Sequence, residues 1–370
     1  MRKPSVGLVS DLAWSEGIGR YGVQLQQLLT DEFELTRVYL DYAKRCVVVA
    51  SREGEKPVAR TAKIPGFDSK PWFWLRVRRA IPEFDIVHLI SQNLSFLTPR
   101  DGRAVVTCHD IAPLFIPGRP WHRWARRRLY SGLPRAAAVI ADSAATASDV
   151  SRVFGRDRSS IDVIPLGVDL SLFRPRDKAE CRRRLELDGK HRLLLHVGID
   201  KWRKNVAGVL RALVLLASRV PDVQLVRLGG MSPANARLAA ELGVGNRVIL
   251  RPFCDDEQLV DYYCAADCFV FPSFCEGFGL PPLEAMACGT PVVVANVSSL
   301  PEVVGGAGLQ VDPDSPERIS AAVEGVLTDA KLARRLSAEG QARAQEFSWT
   351  RTAEATRQVY RRFLEQHRRI

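Results

Sequence analysis

The chain has 370 residues, 46% of them hydrophobic, and a formal net charge of +11. That length exceeds what one hydrophobic core usually organises, so two domains of about 170–190 residues are expected. No run of 18 apolar residues occurs, which excludes a membrane-spanning helix. Eight cysteines without a Cys-x-x-Cys pair and six histidines at no ligand spacing argue against a zinc site, and fit reduced, buried thiols in a cytoplasmic protein.

Strand-like runs alternate with helical periods along the whole chain, the pattern of an α/β protein with parallel sheets. The opening residues turn acidic by Asp11, too soon for a signal peptide, and read as a first buried strand. In the first half, strands are expected at residues 6–9, 35–40, 46–50, 85–90, 104–108, 137–141 and 161–164. Helices are expected there at 17–29, 71–80, 120–133 and 144–154. Pro165-Leu-Gly-Val-Asp169 then leads through a polar stretch to Pro175, a hinge between domains. The second half restarts with a strand at 192–198 and a helix at 206–219, followed by strands at 223–228, 247–250 and 267–271. Residues 316–370 read as two or three helices.

The positive excess is local. Residues 70–135 hold 12 Lys and Arg against 4 Asp and Glu. Within them, Pro71-Trp-Phe-Trp-Leu-Arg-Val-Arg-Arg79 and Trp121-His-Arg-Trp-Ala-Arg-Arg-Arg-Leu-Tyr130 interleave aromatic rings with arginine. Solvated cationic helix faces would look the same. No nucleic-acid-binding module accompanies them, so a nucleic-acid partner is not expected. An anionic membrane surface, which rings and guanidinium groups both suit, is the preferred partner.

Four stretches could carry chemistry. Gly17-Ile-Gly-Arg-Tyr-Gly22 spells G-x-G-x-x-G and opens a helix, with Asp41 nineteen residues past Gly22. As a dinucleotide fingerprint it is flawed, because seven residues separate it from the strand and Trp14 and Glu16 crowd the turn. Thr107-Cys-His109-Asp110 ends a strand, at the edge where open α/β sheets bind ligands. His196-Val-Gly198-Ile-Asp-Lys-Trp-Arg203-Lys204-Asn205 sets two cations at a helix start, where they oppose the dipole and call for a negative guest such as a diphosphate. Finally, a buried strand at 268–271 is followed by a glycine-rich loop, a helix opened by Pro281 and stopped by Gly289, and a second strand at 292–295. That loop aims backbone N–H groups and a positive helix end at an anion, and Glu276 and Glu284 flank Gly277-Phe278-Gly279.

Residues 269–295 resemble the Glu-x7-Glu signature of retaining nucleotide-sugar glycosyltransferases of family 4. The resemblance implies the GT-B architecture: two facing Rossmann-like domains with a deep interdomain cleft. Residues 1–170, joined by a C-terminal helix at about 350–370, would bind acceptor, and 171–349 the nucleotide sugar. It further implies that Arg203 and Lys204 hold the leaving diphosphate, a role that falls more heavily on them because Ile199 stands where many members have arginine. Glu276 would bind sugar hydroxyls, Glu284 the ribose, and Phe278 and Gly279, beside Gly277 and Leu280, the sugar and phosphate. Gly17, Gly19, Gly198 and Gly229 would line the donor, and His109 would contact the transferred sugar. Ser143 and residues 166–169 match positions bordering the cleft, although Ser143 serves equally as a helix N-cap. No cofactor and no metal are implied. The loop Cys275-Glu-Gly-Phe-Gly-Leu-Pro-Pro looks closest to mannosyltransferases of polysaccharide assembly, which points to GDP-mannose and a glycan or lipid-linked glycan acceptor at the inner face of the membrane. Open alternatives are a UDP-sugar enzyme or a sugar epimerase on the same fold, an NAD(P) oxidoreductase resting on Gly17–Gly22, and a catalytically dead scaffold.

Overall fold

The structure is a computed structural model that describes residues 2–11, 17–41, 46–50, 58–60, 81–116 and 120–367. The chain forms two compact units, Met1–Gly167 with Trp349–Ile370, and Val168–Ser348.

The first unit is built on β1 (Ser5–Ser10), β2 (Glu34–Asp41), β3 (Cys46–Ala50), β4 (Val58–Arg60), β5 (Ile86–Leu89), β6 (Val105–Cys108), β7 (Ala138–Ala141) and β8 (Ile161–Val163). Among the described residues these make one sheet in the order β4-β3-β2-β1-β5-β6-β7-β8. Helices α1 (Gly17–Leu29), α2 (Pro120–Leu129) and α3 (Ala144–Phe154) belong to it. The expectation of parallel pairing fails at one edge, where β3 runs antiparallel to β2 and β4 antiparallel to β3. The reason is chain length: the link from Asp41 to Cys46 is too short for the dozen or more residues that a parallel crossover needs. The short strand β4 was not foreseen, and α2 stops four residues before the expected end. The expected helix at 71–80 lies outside the described residues.

The second unit contains α4 (Lys178–Arg184), β9 (Arg192–Val197), α5 (Val206–Ala217), β10 (Val223–Leu228), α6 (Pro233–Glu241), β11 (Val248–Arg251), α7 (Asp256–Ala265), β12 (Cys268–Phe271) and α8 (Leu280–Ala287). It continues with β13 (Val292–Ala295), α9 (Leu300–Val304), β14 (Leu309–Val311), α10 (Pro316–Thr328) and α11 (Ala330–Ala344). All pairs in its sheet are parallel, in the order β11-β10-β9-β12-β13-β14. This is the Rossmann order, and it explains why β12 and β13 read as unbroken apolar runs: with helices on both faces, every residue of both strands is buried.

The last helix, α12 (Trp349–His367), belongs to the first unit. Its buried stripe, Thr352, Ala353, Thr356, Val359, Tyr360 and Phe363, follows helical spacing. Tyr360 Oη lies 2.7 Å from His88 Nδ1 on β5, and His88 Nε2 lies 2.7 Å from Thr107 Oγ1 on β6. Arg357 pairs with Asp31 and Glu32, and Arg361 with Glu32, at the rim of the same contact.

Candidate functional site

In the second sheet the sequence order reverses between β9 and β12, and in open α/β sheets ligands bind beyond the strand ends at such a point. The loops leaving β9 and β12 carry the motif residues. Gly198 follows β9 at φ +134°, and a Cβ placed there would come 3.0 Å from Lys204 Cε. Gly229, at φ +102°, ends β10, and a Cβ on it would lie only 2.4 Å from the Gly198 carbonyl oxygen. The two glycines therefore let adjacent loops close on each other. Beyond Gly198 a 3-10 turn, Trp202–Lys204, ends at Asn205, which takes the left-handed conformation (φ 51°) and caps α5 by accepting from Gly208 N–H. The Asn205 amide donates to Pro272 O and Pro313 O, joining the loops after β12 and β14 to this turn.

Two cations converge on one carboxylate here. Lys204 Nζ donates to Glu276 Oε1 at 2.7 Å, and Arg203 Nη1 to Glu276 Oε2 at 3.4 Å. Lys204 and Glu276 are both buried, and the ammonium also lies 4.3 Å from the Phe271 ring centroid. Burial pulls the Lys204 ammonium below its usual range, and the charge of Glu276 opposes that shift. The negative offset to the two cations, assigned to a diphosphate from the sequence, is thus supplied in this structure by Glu276. Its backbone is pinned in turn: Ser298 Oγ accepts from Glu276 N–H and donates to Glu276 O, while Ser299 Oγ donates to Phe278 O.

Glu284 has a hydrogen-bond partner from another helix. Its Oε2 accepts from Tyr263 Oη of α7 at 2.8 Å, in a buried setting. Because α8 begins at Leu280, Glu284 lies in the second helical turn rather than the first, so dipole complementation does not explain it. Gly279 caps α8 at φ +120°, and a Cβ there would meet Leu300 Cδ2 at 2.9 Å. The helix ends where expected: Gly289 takes φ +79°, with Gly289 N–H bonded to Met286 O and Thr290 N–H to Ala285 O. Gly277 and Phe278 complete the loop, with Phe278 edge-on to Phe347.

The remaining residues belong to the first unit. Gly17 and Gly19 sit in the first turn of α1 and Gly22 in its second, not in a tight strand-to-helix turn, so the dinucleotide fingerprint has no backbone to match it. His109, past β6, has both ring nitrogens engaged: Nδ1 lies 2.6 Å from Asp142 Oδ2 and Nε2 lies 2.9 Å from Ile90 O. Burial would lower its pKa, but Asp142, through charge and hydrogen bond, together with Ile90 O and Asp110, raises it overall. A protonated ring that donates on both sides has no lone pair with which to act as a base. Ser143 is an N-cap, accepting from Thr146 N–H.

The raised His109 pKa has a consequence for stability. The ion pair stabilises the fold fully below the ordinary histidine value of about 6.5, and that contribution is lost as pH rises through the higher folded value. Wild-type melting temperature is expected to fall across that interval. Asp142→Asn should lower the melting temperature at pH 6 and flatten this slope, and a slope unchanged in the variant would disprove the pairing.

Sequence reasoning overlooked Asp142, Tyr263, Ser298 and Ser299 as supports, none of which carries a local signal. It also passed over Arg227, although a charge inside the apolar run of β10 was a visible clue. Among the described residues no group of three or more His, Cys, Asp or Glu could hold a metal ion, and seven of the cysteines, from Cys108 to Cys288, are free thiols.

Two Rossmann-like α/β units, the second carrying glycine loops and paired cations at its switch point, make up the architecture of the GT-B glycosyltransferases. Solved structures share it: sucrose-phosphate synthase from Thermosynechococcus elongatus (TM-score 0.81, 24% identity, 98% of this chain and 100% of that one) and WaaG, a glycosyltransferase involved in lipopolysaccharide biosynthesis (0.74, 18%, 96% and 98%). Residues 177–343 match the family described as Glycosyl transferases group 1, and residues 17–172 that described as Glycosyltransferase Family 4. O-antigen chain mannosyltransferase B of Escherichia coli is 35% identical over 280 residues, covering 72% of each chain. D-inositol 3-phosphate glycosyltransferase of Segniliparus rotundus is 37% identical over 234 residues, 61% of this chain, and the chain spans about half (52%) of that relative's length. The chain belongs to the group 1 glycosyltransferases of family 4.

Proposed function

We propose that the protein transfers a hexose, with retention, from a nucleotide sugar to a glycan or lipid-linked glycan, and that the donor is GDP-mannose. The observation that carries the reading is the convergence of Arg203 and Lys204 on Glu276 at the switch point of the second unit. Arriving phosphates compete for the two cations. As the cations turn to the diphosphate, Glu276 is released to accept from sugar hydroxyls, and Glu284 holds the ribose. Charge-assisted contacts of this kind are worth about 1.5–3 kcal/mol each, enough together to stabilise a departing nucleoside diphosphate without a metal. The acceptor's proton passes to the leaving phosphate oxygen, in keeping with a His109 that cannot serve as base and meets the sugar through its charge. The mannose assignment takes its support from the likeness to the O-antigen chain mannosyltransferase. A second reading, an inositol phosphate as acceptor, takes its support from the relative of that name.

A thermal-shift panel of nucleoside diphosphates and their sugars, followed by linkage analysis of the product, tests this. GDP and GDP-mannose should raise the melting temperature and the product should keep the donor's anomeric configuration. A preference for UDP-sugars would overturn the mannose assignment, and an inverted product would overturn retention.

We also propose peripheral contact with an anionic membrane through the basic first-unit surface. The three arginines in the last turn of α2 suit its C-terminal dipole and Arg128 lies over the Trp124 ring, but Trp121 and Trp124 remain 57% and 62% exposed. The other arginine-rich stretch, 71–79, lies outside the described residues. The protein should co-sediment with anionic vesicles and not neutral ones in low salt, and Trp121→Ala/Trp124→Ala should lower recovery several-fold. Equal recovery with neutral vesicles would refute the contact.

A further inference from the structure

Arg227 is the largest fully buried side chain of the described residues, set one position before the end of β10 between the apolar Val226 and Leu228. Taking a lone cation out of water costs several kcal/mol, so its retention calls for a function. Its guanidinium donates to the carbonyl oxygens of Leu228 and Gly198, while its Nε has no partner among the described residues. Those carbonyls belong to the two loops whose glycines close on each other, Gly198 and Gly229. The C=O and N–H of a trans peptide point opposite ways, so holding Gly198 O inward turns the Ile199 N–H away from the guanidinium.

We infer that Arg227 is a positioning residue of the donor site, a third positive charge that sets the glycine loops from below and attracts a bound diphosphate through its field rather than by contact. This deepens the donor reading above and rests on it. Several neighbours feel the charge. Burial first, and then the Arg227 charge, disfavours protonation of His196, whose Nε2 donates to Lys204 O, and the same charge adds a smaller push to the Lys204 shift that burial dominates. The opposing carboxylate, Asp200, accepts from Ser232 N–H and the Asn235 amide rather than from the guanidinium, so it acts on Arg227 through its charge and not by contact. Burial pushes the Arg227 pKa down to about 10, so it stays charged at neutral pH. In so enclosed a setting the field is weakly screened.

The test compares wild type with Arg227→Met, which keeps the volume and removes the charge, and Arg227→Lys, which keeps the charge. Calorimetry would give Kd for GDP, GMP and guanosine and for UDP, UMP and uridine, with melting temperatures alongside. Arg227→Met should weaken the preferred diphosphate about tenfold, the monophosphate less, and the nucleoside by under twofold, and Arg227→Lys should stay within about threefold of wild type for the diphosphate. Unchanged affinity, or equal loss for all three ligands, would mean a scaffold role only and would overturn the inference. If Arg227→Met does not fold, Arg227→Gln, neutral but still able to donate to a carbonyl, carries the test: a larger loss for the diphosphate than for the nucleoside supports the role of charge, and unchanged affinity or equal loss across ligands overturns it. A wild type that binds neither diphosphate sinks the donor reading and this inference together, whereas a binding wild type with an indifferent Arg227→Met sinks the inference alone.

Discussion

Replacing Lys204 with alanine is expected to lower kcat about 100-fold while raising the donor Kd by less. The ammonium is buried, paired with Glu276 and seated on the Phe271 ring, and in the proposed reading it turns from Glu276 to the phosphates. Its strongest effect should fall where negative charge grows most, on the departing diphosphate, and removing one such preorganised donor costs about 10²–10³ in turnover. The substitution also leaves Glu276 with Arg203 at 3.4 Å as its remaining partner in this cluster. Breaking a buried pair from one side costs about 3–5 kcal/mol, and with Arg203 still present a loss of about 2–3 kcal/mol is expected. Lys204→Met/Glu276→Gln removes both charges and should recover much of that stability without recovering turnover. Recovery of turnover would show that the single variant had failed through misfolding. The depressed Lys204 pKa adds a sign: donor affinity should decline with rising pH earlier than an ordinary lysine would allow.

For Glu284→Ala the opposite division is expected, with donor Kd raised about 30-fold and kcat changed by under threefold, since a ribose contact serves ground and transition states alike. Here too the fold responds, because the Tyr263 hydroxyl is buried and loses its acceptor, at about 1–3 kcal/mol. Tyr263→Phe separates the two effects. It should share the loss of stability and keep donor affinity within about threefold. Donor binding unchanged in both Glu284→Ala and Lys204→Ala, by calorimetry, would remove both assignments.

The stretch 268–295 was legible because its signals are local. Apolar runs, a proline just inside the helix and a glycine just past it place β12, α8 and β13 within a residue or two of where they stand. The site itself was legible only as separate motifs. Glu276 and Lys204 are 72 positions apart, and His109 and Asp142 are 33 apart. No periodicity joins them, and only the parallel order of strands brings such positions together. For the same reason local charge did not reveal that Glu276 pairs with Arg203 and Lys204, or that Tyr263 donates to Glu284.

By itself the sequence determined the alternation of strand and helix, the glycine positions that demand left-handed backbone, and which residue types stand beside them. Each of these follows from sterics or burial within a few residues. The pairing of charges, the seating of Tyr360 against His88 and the burial of Arg227 were decided only by the tertiary structure. Desolvation and Coulomb energy depend on distance through space, and chain order does not encode that distance.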